Sequence, residues 1–273
     1  MKTILEEILE DVAREVATAK LARPASDLRA RIADAAPVRS LAAALGGDFG
    51  MIAEIKERSP SVGPMRPENV GAALEVYLEQ PLVRAISVLT NETHFGMSIQ
   101  RLASARMRAT KPLLRKDFLI DEYQIREARA FGADAVLLMA NVLDPARLAG
   151  FFELTQELGM EALFEVHVLE EIDQLPPGTK IVGINSRKFK TDTGFVGTAG
   201  HSEQDFSLDY SAFDLASHLP VHCLKIAESG LSPSNIQCVS QTFDAALVGT
   251  SLLRDPRGLA ASLLEFEQAL SNS

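Results

Sequence analysis

The feature that most constrains the fold is a series of eight short apolar segments that alternate with longer amphipathic segments. Continuous apolar runs are typical of strands that are covered on both faces. Strands that alternate with helices pair in parallel through right-handed crossovers. The predicted strands are Met51–Ile55, Ala85–Leu89, Pro112–Leu114, Ala135–Met139, Ala162–Val166, Ile181–Asn185, Cys223–Ala227 and Ala245–Gly249.

Amphipathic segments with helical spacing separate these strands. Asp144 before Pro145 and Ser232 before Pro233 are candidate N-caps. Eight strand–helix units predict a closed (β/α)8 TIM barrel, an α/β fold. An open doubly wound sheet is the alternative, which is disfavoured because no GxGxxG follows the first strand. The predicted helices are Pro67–Glu79, Ile99–Arg108, Tyr123–Phe131, Pro145–Leu158, Val168–Gln174, Ser211–His218, Pro233–Ser240 and Gly258–Ala269.

The first 46 residues lack this alternation and have helical spacing instead. A second short helix is predicted near Ala25–Ala35. Because α/β barrels commonly reach about 250 residues as one domain, we expect a single domain over 1–273, with 1–46 as a helical extension. The extension should pack on the outside of the barrel or across one end. One apolar stripe marks its first helix, formed by Ile4, Leu5, Ile8, Leu9, Val12 and Val16.

Net charge and cysteine content restrict the class of partner. A net charge of −10 disfavours nucleic acid and anionic membranes as partners. The two cysteines, Cys223 and Cys238, and the five histidines have no metal-ligand spacing, so no metal site is expected. No apolar run approaches the ~20 residues that span a bilayer. The sequence therefore predicts a cytoplasmic protein that acts on a small molecule.

Ionisable side chains collect where the predicted strands end, which is where barrel enzymes place reactive groups. Alternate residues of a strand point to the same side, so Glu54 and Lys56 should both face the barrel axis. Buried ionisable groups are costly unless paired, and their mutual fields shift their pKa values. Each one alone could be a structural ion pair, and "RKD" after Leu114 could be a solvated turn. The strand-end set is Glu54, Lys56, Thr90, Lys116, Asp117, Glu165, Asn185, Arg187 and Glu228.

A second pattern indicates a phosphate site. "ESG" after the seventh strand and "VGTS" after the eighth place small residues and free backbone N–H groups where barrels often bind phosphate. "SPS" after the first strand could add donors, although any one such pair alone is simply a turn. The residues concerned are Ser59, Pro60, Ser61, Ser229, Gly230, Gly249, Thr250 and Ser251.

One long polar segment, Lys188–Tyr210, follows the sixth strand and has no helical period. Loops of this length in compact domains are usually functional or mobile. A disordered insertion is the alternative.

Several blocks together resemble the indole-3-glycerol phosphate synthase family in order and spacing. They are "AEIKERSPSVG", "SVLT", "LLRKDFLIDEYQIREARAFGADAVLLM", "LGMEALFEVH", "GINSR", "IAESGL" and "ALVGTSLL". The resemblance covers nearly the whole chain, including the helical extension. It implies ring closure, decarboxylation and dehydration of 1-(2-carboxyphenylamino)-1-deoxyribulose 5-phosphate, in tryptophan biosynthesis and without a cofactor.

The resemblance also implies residue roles. Lys116 would be the general acid at the ribulose carbonyl, Glu165 the acid/base of the dehydration, and Lys56 the cation near the anthranilate carboxylate. Glu54 and Asn185 would position the substrate. The substrate-binding residues would be Ser59, Pro60, Phe118, Arg187, Ser229, Gly230, Gly249, Thr250 and Ser251. A monomer or weak dimer is expected, with the sugar phosphate as its partner.

Three positions depart from the family pattern, namely Asn91, Met97 and Ser186, and the stretch after Arg187 is longer than expected. These departures concern substrate closure and the rim of the pocket. Three alternatives to the synthase remain. They are a divergent paralogue, a related phosphate-binding barrel such as phosphoribosylanthranilate isomerase, and a non-catalytic barrel that binds a partner through Lys188–Tyr210.

Overall fold

The computed structural model describes residues 3–187, 190–191, 194–195 and 207–271. Eight parallel strands form a closed barrel in which β1 pairs with both β2 and β8. The predicted (β/α)8 barrel is therefore confirmed. The strands are β1 (Gly50–Ile55), β2 (Val83–Leu89), β3 (Leu113–Lys116), β4 (Ala135–Met139), β5 (Glu161–Val166), β6 (Ile181–Asn185), β7 (Leu224–Glu228) and β8 (Ala245–Val248).

Helices follow the strands and cover the outer face of the barrel. The strands are almost completely buried, as continuous apolar runs predict. The helices are α1 (Ile4–Ala22), α2 (Ala25–Ala33), α3 (Leu41–Leu45), α4 (Pro67–Glu79), α5 (Glu92–Phe95), α6 (Ile99–Arg106), α7 (Glu122–Ala130), α8 (Pro145–Glu157), α9 (Leu169–Ile172), α10 (Ile236–Ser240), α11 (Thr250–Leu253) and α12 (Leu259–Ser271).

Helix α1 begins at a capping box and lies across the carboxyl-terminal end of the barrel. The Thr3 hydroxyl accepts from the Glu6 N–H, and the Glu6 carboxylate accepts from the Thr3 N–H. Glu15 of α1 accepts hydrogen bonds from Asn91 and Thr93, which follow β2. The predicted apolar stripe is the face that α1 buries, through Leu5, Ile8, Val12 and Val16.

The rest of the extension descends the outside of the barrel and reaches its opposite end. Helix α2 packs on α7. At the amino-terminal end of β5, the Glu161 carboxylate accepts from the Ser40 hydroxyl and from the Ala42 N–H. Residues 3–45 therefore join both ends of the barrel.

Several predicted boundaries are corrected by the structure. β3 does not stop at Leu114, because Arg115 and Lys116 continue the parallel pairing with β2. The segment predicted as the helix Ser211–His218 forms a 3₁₀ helix over Tyr210–Ser217.

The predicted helices near residues 168 and 233 are shorter than expected. The first is a single turn, Leu169–Ile172. The second begins at Ile236, and the Ser232 hydroxyl contacts the Ser234 hydroxyl and does not act as a helix N-cap. The predicted N-cap at Asp144 is confirmed, since its side chain accepts from the Arg147 N–H.

Two short antiparallel hairpins lie outside the barrel. One joins Arg58–Ser59 to Gly63–Pro64 after β1, and the other joins Lys190–Thr191 to Gly194–Phe195 after β6. Most of the predicted Lys188–Tyr210 loop lies outside the described residues. No helix in the described ranges is both long enough and apolar enough to span a bilayer.

Candidate active site

The side chains of the "RKD" stretch at the end of β3 point to two different sides of the strand. Lys116 points into the barrel, whereas Arg115 and Asp117 point outward into a buried layer beneath α1 and α7. This separation follows from the two-residue period of a strand. The "RKD" stretch is therefore not a solvated turn.

Inside the barrel, Lys116 lies between two carboxyl groups. Its Nζ is 3.0 Å from Glu165 Oε2 and 3.4 Å from Glu228 Oε2. The Nδ2 of Asn185 donates to the other oxygen of Glu165 at 3.1 Å. Both carboxylate side chains are 1% exposed, so they are shielded from bulk water. Strands β3, β5, β6 and β7 thus deliver these side chains to one point.

The two carboxyl groups around Lys116 have opposite pKa shifts. Burial alone would raise the pKa of Glu165, but Lys116, His167 and Asn185 lower it to about 2. Burial, together with the nearby Glu165 and Glu54, raises the pKa of Glu228 well above its ordinary value, although Lys116 opposes this effect. The two carboxyl groups that share one cation therefore have pKa values shifted in opposite directions.

The pKa of Lys116 itself is raised. Burial would lower this pKa, but the charges of Glu165, Glu228 and Glu54 together outweigh burial. Lys116 therefore carries its proton at neutral pH and can donate it to a substrate oxygen.

A second ion pair lies beside this cluster. Lys56 Nζ donates to Glu54 Oε1 at 2.5 Å, and both side chains point into the barrel as their two-residue spacing predicts. Glu54 also contributes to the raised pKa of Lys116, so the two pairs share one electrostatic site.

One cavity at the barrel mouth joins these groups. All five predicted catalytic residues line it, and so do four of the predicted substrate-binding residues. Phe118 packs near Phe95 with ring centroids 6.5 Å apart, which forms an apolar wall. The predicted residues that line the cavity are Glu54, Lys56, Lys116, Glu165, Asn185, Ser59, Pro60, Phe118 and Arg187.

The other predicted substrate-binding residues do not line this cavity. Ser229 and Gly230 follow β7, and Gly249, Thr250 and Ser251 follow β8, so the pairing of β7 with β8 places both groups at one edge of the mouth. Ser229 and Gly230 both have positive φ values, of 72° and 68°. The hydroxyl of Ser251 is engaged, since it donates to the Leu231 carbonyl. Tyr210 donates to the Gly230 carbonyl at 2.8 Å.

Sequence reasoning noted Glu228 only as a strand end and did not assign it to the site. Its proximity to Lys116 depends on the register that sets Glu228 of β7 beside Asn185 of β6. Two glycines provide space for the buried carboxyl groups. A Cβ at Gly183 would lie 2.0 Å from Glu228 Oε1, and one at Gly249 would lie 2.5 Å from Glu54 Oε1. Glycines inside or directly after barrel strands were the available signal.

Helix α1 also contributes to the site, which sequence reasoning did not predict. Its Ile8 lines the cavity opposite the ion pairs. The apolar stripe of α1 is therefore both a packing surface and part of the pocket wall.

The three departures from the family pattern have structural roles. Asn91 caps α5 by accepting from the His94 N–H, and its amide donates to Glu15 of α1. Met97 is buried and lines an apolar groove between α4 and α6. The Ser186 hydroxyl donates to the Ser229 carbonyl at 3.1 Å, which ties the end of β6 to the turn after β7.

The described residues contain no cluster of three or more histidine, cysteine or acidic side chains placed to bind a metal ion. The charged groups of the site are instead arranged as cation–carboxylate pairs.

Comparison with known proteins identifies the family of the chain. The family model for indole-3-glycerol phosphate synthase matches residues 5–262. The chain is 37% identical over 269 residues to the indole-3-glycerol phosphate synthase of Saccharopolyspora erythraea, covering 96% of this chain and 95% of that protein. It is 38% identical to the Mycobacterium ulcerans protein of the same name, covering 96% of this chain and 94% of that protein.

Solved structures with low sequence identity share the fold. The 3-hexulose-6-phosphate synthase of Salmonella typhimurium aligns with a TM-score of 0.59 at 10% identity, over 82% of this chain and 99% of that one. The N-(5'-phosphoribosyl)anthranilate isomerase of Pyrococcus furiosus aligns with a TM-score of 0.54 at 14% identity, over 83% of this chain and 100% of that one. These similarities support the barrel alone, whereas the family match extends over the strand ends that build the site. The chain belongs to the indole-3-glycerol phosphate synthase family.

Proposed function

We propose that the cavity bounded by Lys116, Glu165 and Lys56 carries out the reaction of this family, with each residue in a distinct role. The enzyme is a decarboxylating, ring-closing lyase. It converts 1-(2-carboxyphenylamino)-1-deoxyribulose 5-phosphate to indole-3-glycerol phosphate with loss of CO₂ and water. The observation that carries the assignment of roles is the contact of Lys116 with two buried carboxyl groups.

Lys116 acts as the general acid in ring closure. As the aromatic carbon attacks the ribulose carbonyl carbon, negative charge develops on the carbonyl oxygen, and the protonated Lys116 donates to it. A preorganised cation in a site shielded from water stabilises such charge by several kcal/mol, about 3–4 for a single donor. The raised pKa of Lys116 keeps the proton available in the resting enzyme.

Glu165 acts as the acid/base in dehydration. It is ionised in the resting site because Lys116 is 3.0 Å away, and it can therefore accept a proton from the ring-closed intermediate. The raised pKa of Glu228 disfavours a second negative charge beside Lys116. Asn185 fixes the orientation of the Glu165 carboxylate.

Lys56 binds the carboxylate of the anthranilate ring until it departs as CO₂. Its ion pair with Glu54 holds the ammonium group at the mouth of the barrel. Phe118 and Phe95 pack beside the cavity and form the wall against which the aromatic ring lies. Arg187 supplies a further cation at the cavity wall.

The phosphate binds at the edge formed by the turns after β7 and β8. This position suits an anion because small residues expose backbone N–H groups there. Ser59 and Pro60 after β1 lie on the cavity wall between the catalytic pairs and solvent. The cradle consists of Ser59, Ser229, Gly230, Gly249, Thr250 and Ser251.

We further propose that 1–273 is a single domain that acts in the cytoplasm as a monomer or weak dimer. The hydrogen bonds between the extension and both ends of the barrel support one folding unit.

Turnover of the purified protein tests the proposal. The carboxyphenylamino sugar phosphate should be converted to a fluorescent indole product without added metal, with one CO₂ released per product. A second substrate lacking the 5-phosphate should give a much higher KM if the turns after β7 and β8 bind that group. Absence of turnover by the folded wild-type chain would contradict the assignment of roles.

A further inference from the structure

His167 lies directly behind the catalytic pair and has no role in the mechanism above. It is two residues beyond Glu165, just past the end of β5, so both side chains leave the chain on the same side. The imidazole is 3% exposed. A buried histidine beside a catalytic carboxylate is well placed to influence that carboxylate.

The contacts of His167 join two carboxylates. Its Nε2 is 3.4 Å from Glu165 Oε1, the oxygen that also accepts from Asn185. Its Nδ1 is 3.5 Å from Glu171 Oε2 on α9. The same Glu171 oxygen accepts from the backbone N–H of His167 at 2.6 Å. Glu171 is 5% exposed and therefore holds the imidazole from the side opposite to Glu165.

A small cavity separate from the proposed substrate pocket reaches His167 from outside. It is lined by His167 together with Asn185 and Arg187, which also line the substrate pocket. Asn185 and Arg187 thus form part of the wall between the two spaces. The charged or titratable groups that face His167 are Glu165 on β5 and Glu171 on α9, with Lys116 and Glu228 beyond Glu165 and Arg187 and Asp209 at the cavity wall.

We propose that His167, held by Glu171, is a positioning residue that fixes the orientation and the ionised state of Glu165 during the reaction. This inference rests on the proposed acid/base role of Glu165. The Nε2 of His167 lies 3.4 Å from the carboxylate oxygen that does not contact Lys116, and its presence lowers the pKa of Glu165. When Lys116 gives its proton to the substrate, Glu165 loses its cationic neighbour, and the imidazole then remains as the second partner of the carboxylate.

The arrangement has a physical reason. A carboxylate held by a single lysine would be left as an uncompensated buried charge in the step that deprotonates that lysine, which is costly. A second partner removes this difficulty without placing another group in the substrate pocket. Glu171 keeps the imidazole in place from the far side, through its contact with Nδ1 and its bond from the His167 backbone N–H.

His167→Gln tests the proposal through the pH profile of kcat. The glutamine keeps a hydrogen-bond donor but not a positive charge, so kcat should fall by roughly tenfold or more. The acidic limb of the profile should move to higher pH, because Glu165 would protonate more readily without His167 beside it. His222→Gln is the matched control, since His222 is exposed and lies before β7, away from the mouth. It should leave both kcat and the acidic limb unchanged.

Glu171→Gln provides a second variant if His167→Gln does not fold. The glutamine carbonyl can still accept from the His167 N–H, so the turn after β5 is retained while the charge is lost. This variant should shift the acidic limb in the same direction by a smaller amount. The double variant should be no slower than His167→Gln alone, because Glu171 acts through His167.

The outcomes separate this proposal from the proposed function. An active wild type together with a folded His167→Gln variant that keeps its acidic limb would overturn the positioning role. A pH-independent loss of kcat in both variants would also overturn it, since that is the result of a purely structural histidine. An inactive wild type, or a Glu165→Gln variant with normal turnover, would instead count against the proposed function.

Discussion

Two buried charge clusters built from neighbouring residues of β3 differ in how completely their groups are paired. The outer cluster, here called the Arg115 network, surrounds Arg115 beneath α1 and α7. Arg115 donates to Thr90, to Asp117, to the Gln124 carbonyl and to Glu127 at 2.7–3.2 Å. Glu127 accepts in addition from Arg23.

The inner cluster, in which Lys116 lies between Glu165 and Glu228, also places a cation between two carboxyl groups but has fewer hydrogen bonds. Both oxygens of Glu228 are buried and lack a hydrogen-bond partner within the described ranges. Lys116 donates one hydrogen bond, to Glu165, in addition to its contact with Glu228. A fully paired network stabilises one structure, whereas a partly paired one keeps capacity for a substrate. We therefore expect the cluster on the outer side of β3 to stabilise the fold and the cluster on the inner side to take part in catalysis.

Lys116→Ala should give the largest effect on kcat. If kcat is unaffected, the contrast between the two clusters is wrong. Loss of the acid should reduce kcat by about 10²–10⁴-fold. The barrel should still fold because the Arg115 network is intact, but the melting temperature should also fall, since the buried Glu165 loses its cationic partner. Steady-state kinetics and thermal unfolding measure the two quantities. A near-normal kcat would show that Lys116 is not the general acid.

Arg115→Met should give the reverse result. Asp117 and Glu127 would lose a buried partner, so the free energy of unfolding should fall by about 3–5 kcal/mol. The folded fraction should keep kcat within a few fold, because Arg115 points away from the cavity. Denaturant unfolding and active-site titration measure both quantities. Arg115→Lys, the control, should recover only part of the stability because it lacks the planar five-donor group.

Glu228→Gln tests the comparison through the pH dependence of the free energy of unfolding. A carboxyl whose pKa is higher in the folded state contributes stability that is complete below its unfolded pKa of about 4.3 and is lost as the pH rises through the folded pKa. The variant lacks this loss, so its stability relative to wild type should increase as the pH rises above about 4.3 toward the folded pKa.

Glu165→Gln is the matched control for that experiment, with the opposite sign. The pKa of Glu165 is depressed to about 2, so its contribution is present above its unfolded pKa and is lost as the pH falls toward 2. Identical pH dependences of the two variants would contradict the opposite pKa shifts of the two carboxyls.

Tyr123→Phe should give the smallest effect. The Tyr123 hydroxyl contacts the carbonyls of Ala19 and Arg23 at 3.0 Å each and so ties the end of α1 to α7. Its loss should cost about 1 kcal/mol of unfolding free energy. KM should rise slightly, because Ile8 of the same helix lines the cavity. An unchanged KM would show that the anchoring of α1 by Tyr123 does not affect substrate binding.

The barrel was predictable from the sequence because its signals are local. Continuous apolar runs located the strands to within one or two residues, as at Ala135–Met139, and an N-cap residue located the start of Pro145–Glu157. The helix near Ile236 was misplaced because serine hydroxyls can bond to neighbouring groups instead of capping a helix.

The site was predictable only in part. Strand ends in a barrel converge, so the placement of Lys116, Glu165 and Asn185 at one mouth followed from the topology. The contribution of Ile8 could not be predicted, because the apolar stripe of an amphipathic helix does not indicate which end of the barrel the helix covers. The space for Glu228 beside Gly183 depends on the register between β7 and β6.

The sequence by itself determined the barrel and the family. The opposite facing of Lys116 and Arg115 depended on the continuation of β3 through Lys116, which the sequence analysis did not predict. Only the tertiary structure decided that the pKa of Glu165 is lowered while the pKa of Glu228 is raised. Both have the same side chain and are equally shielded. Their protonation depends on distances to Lys116 and to each other, because Coulomb energies in a shielded site vary with separation.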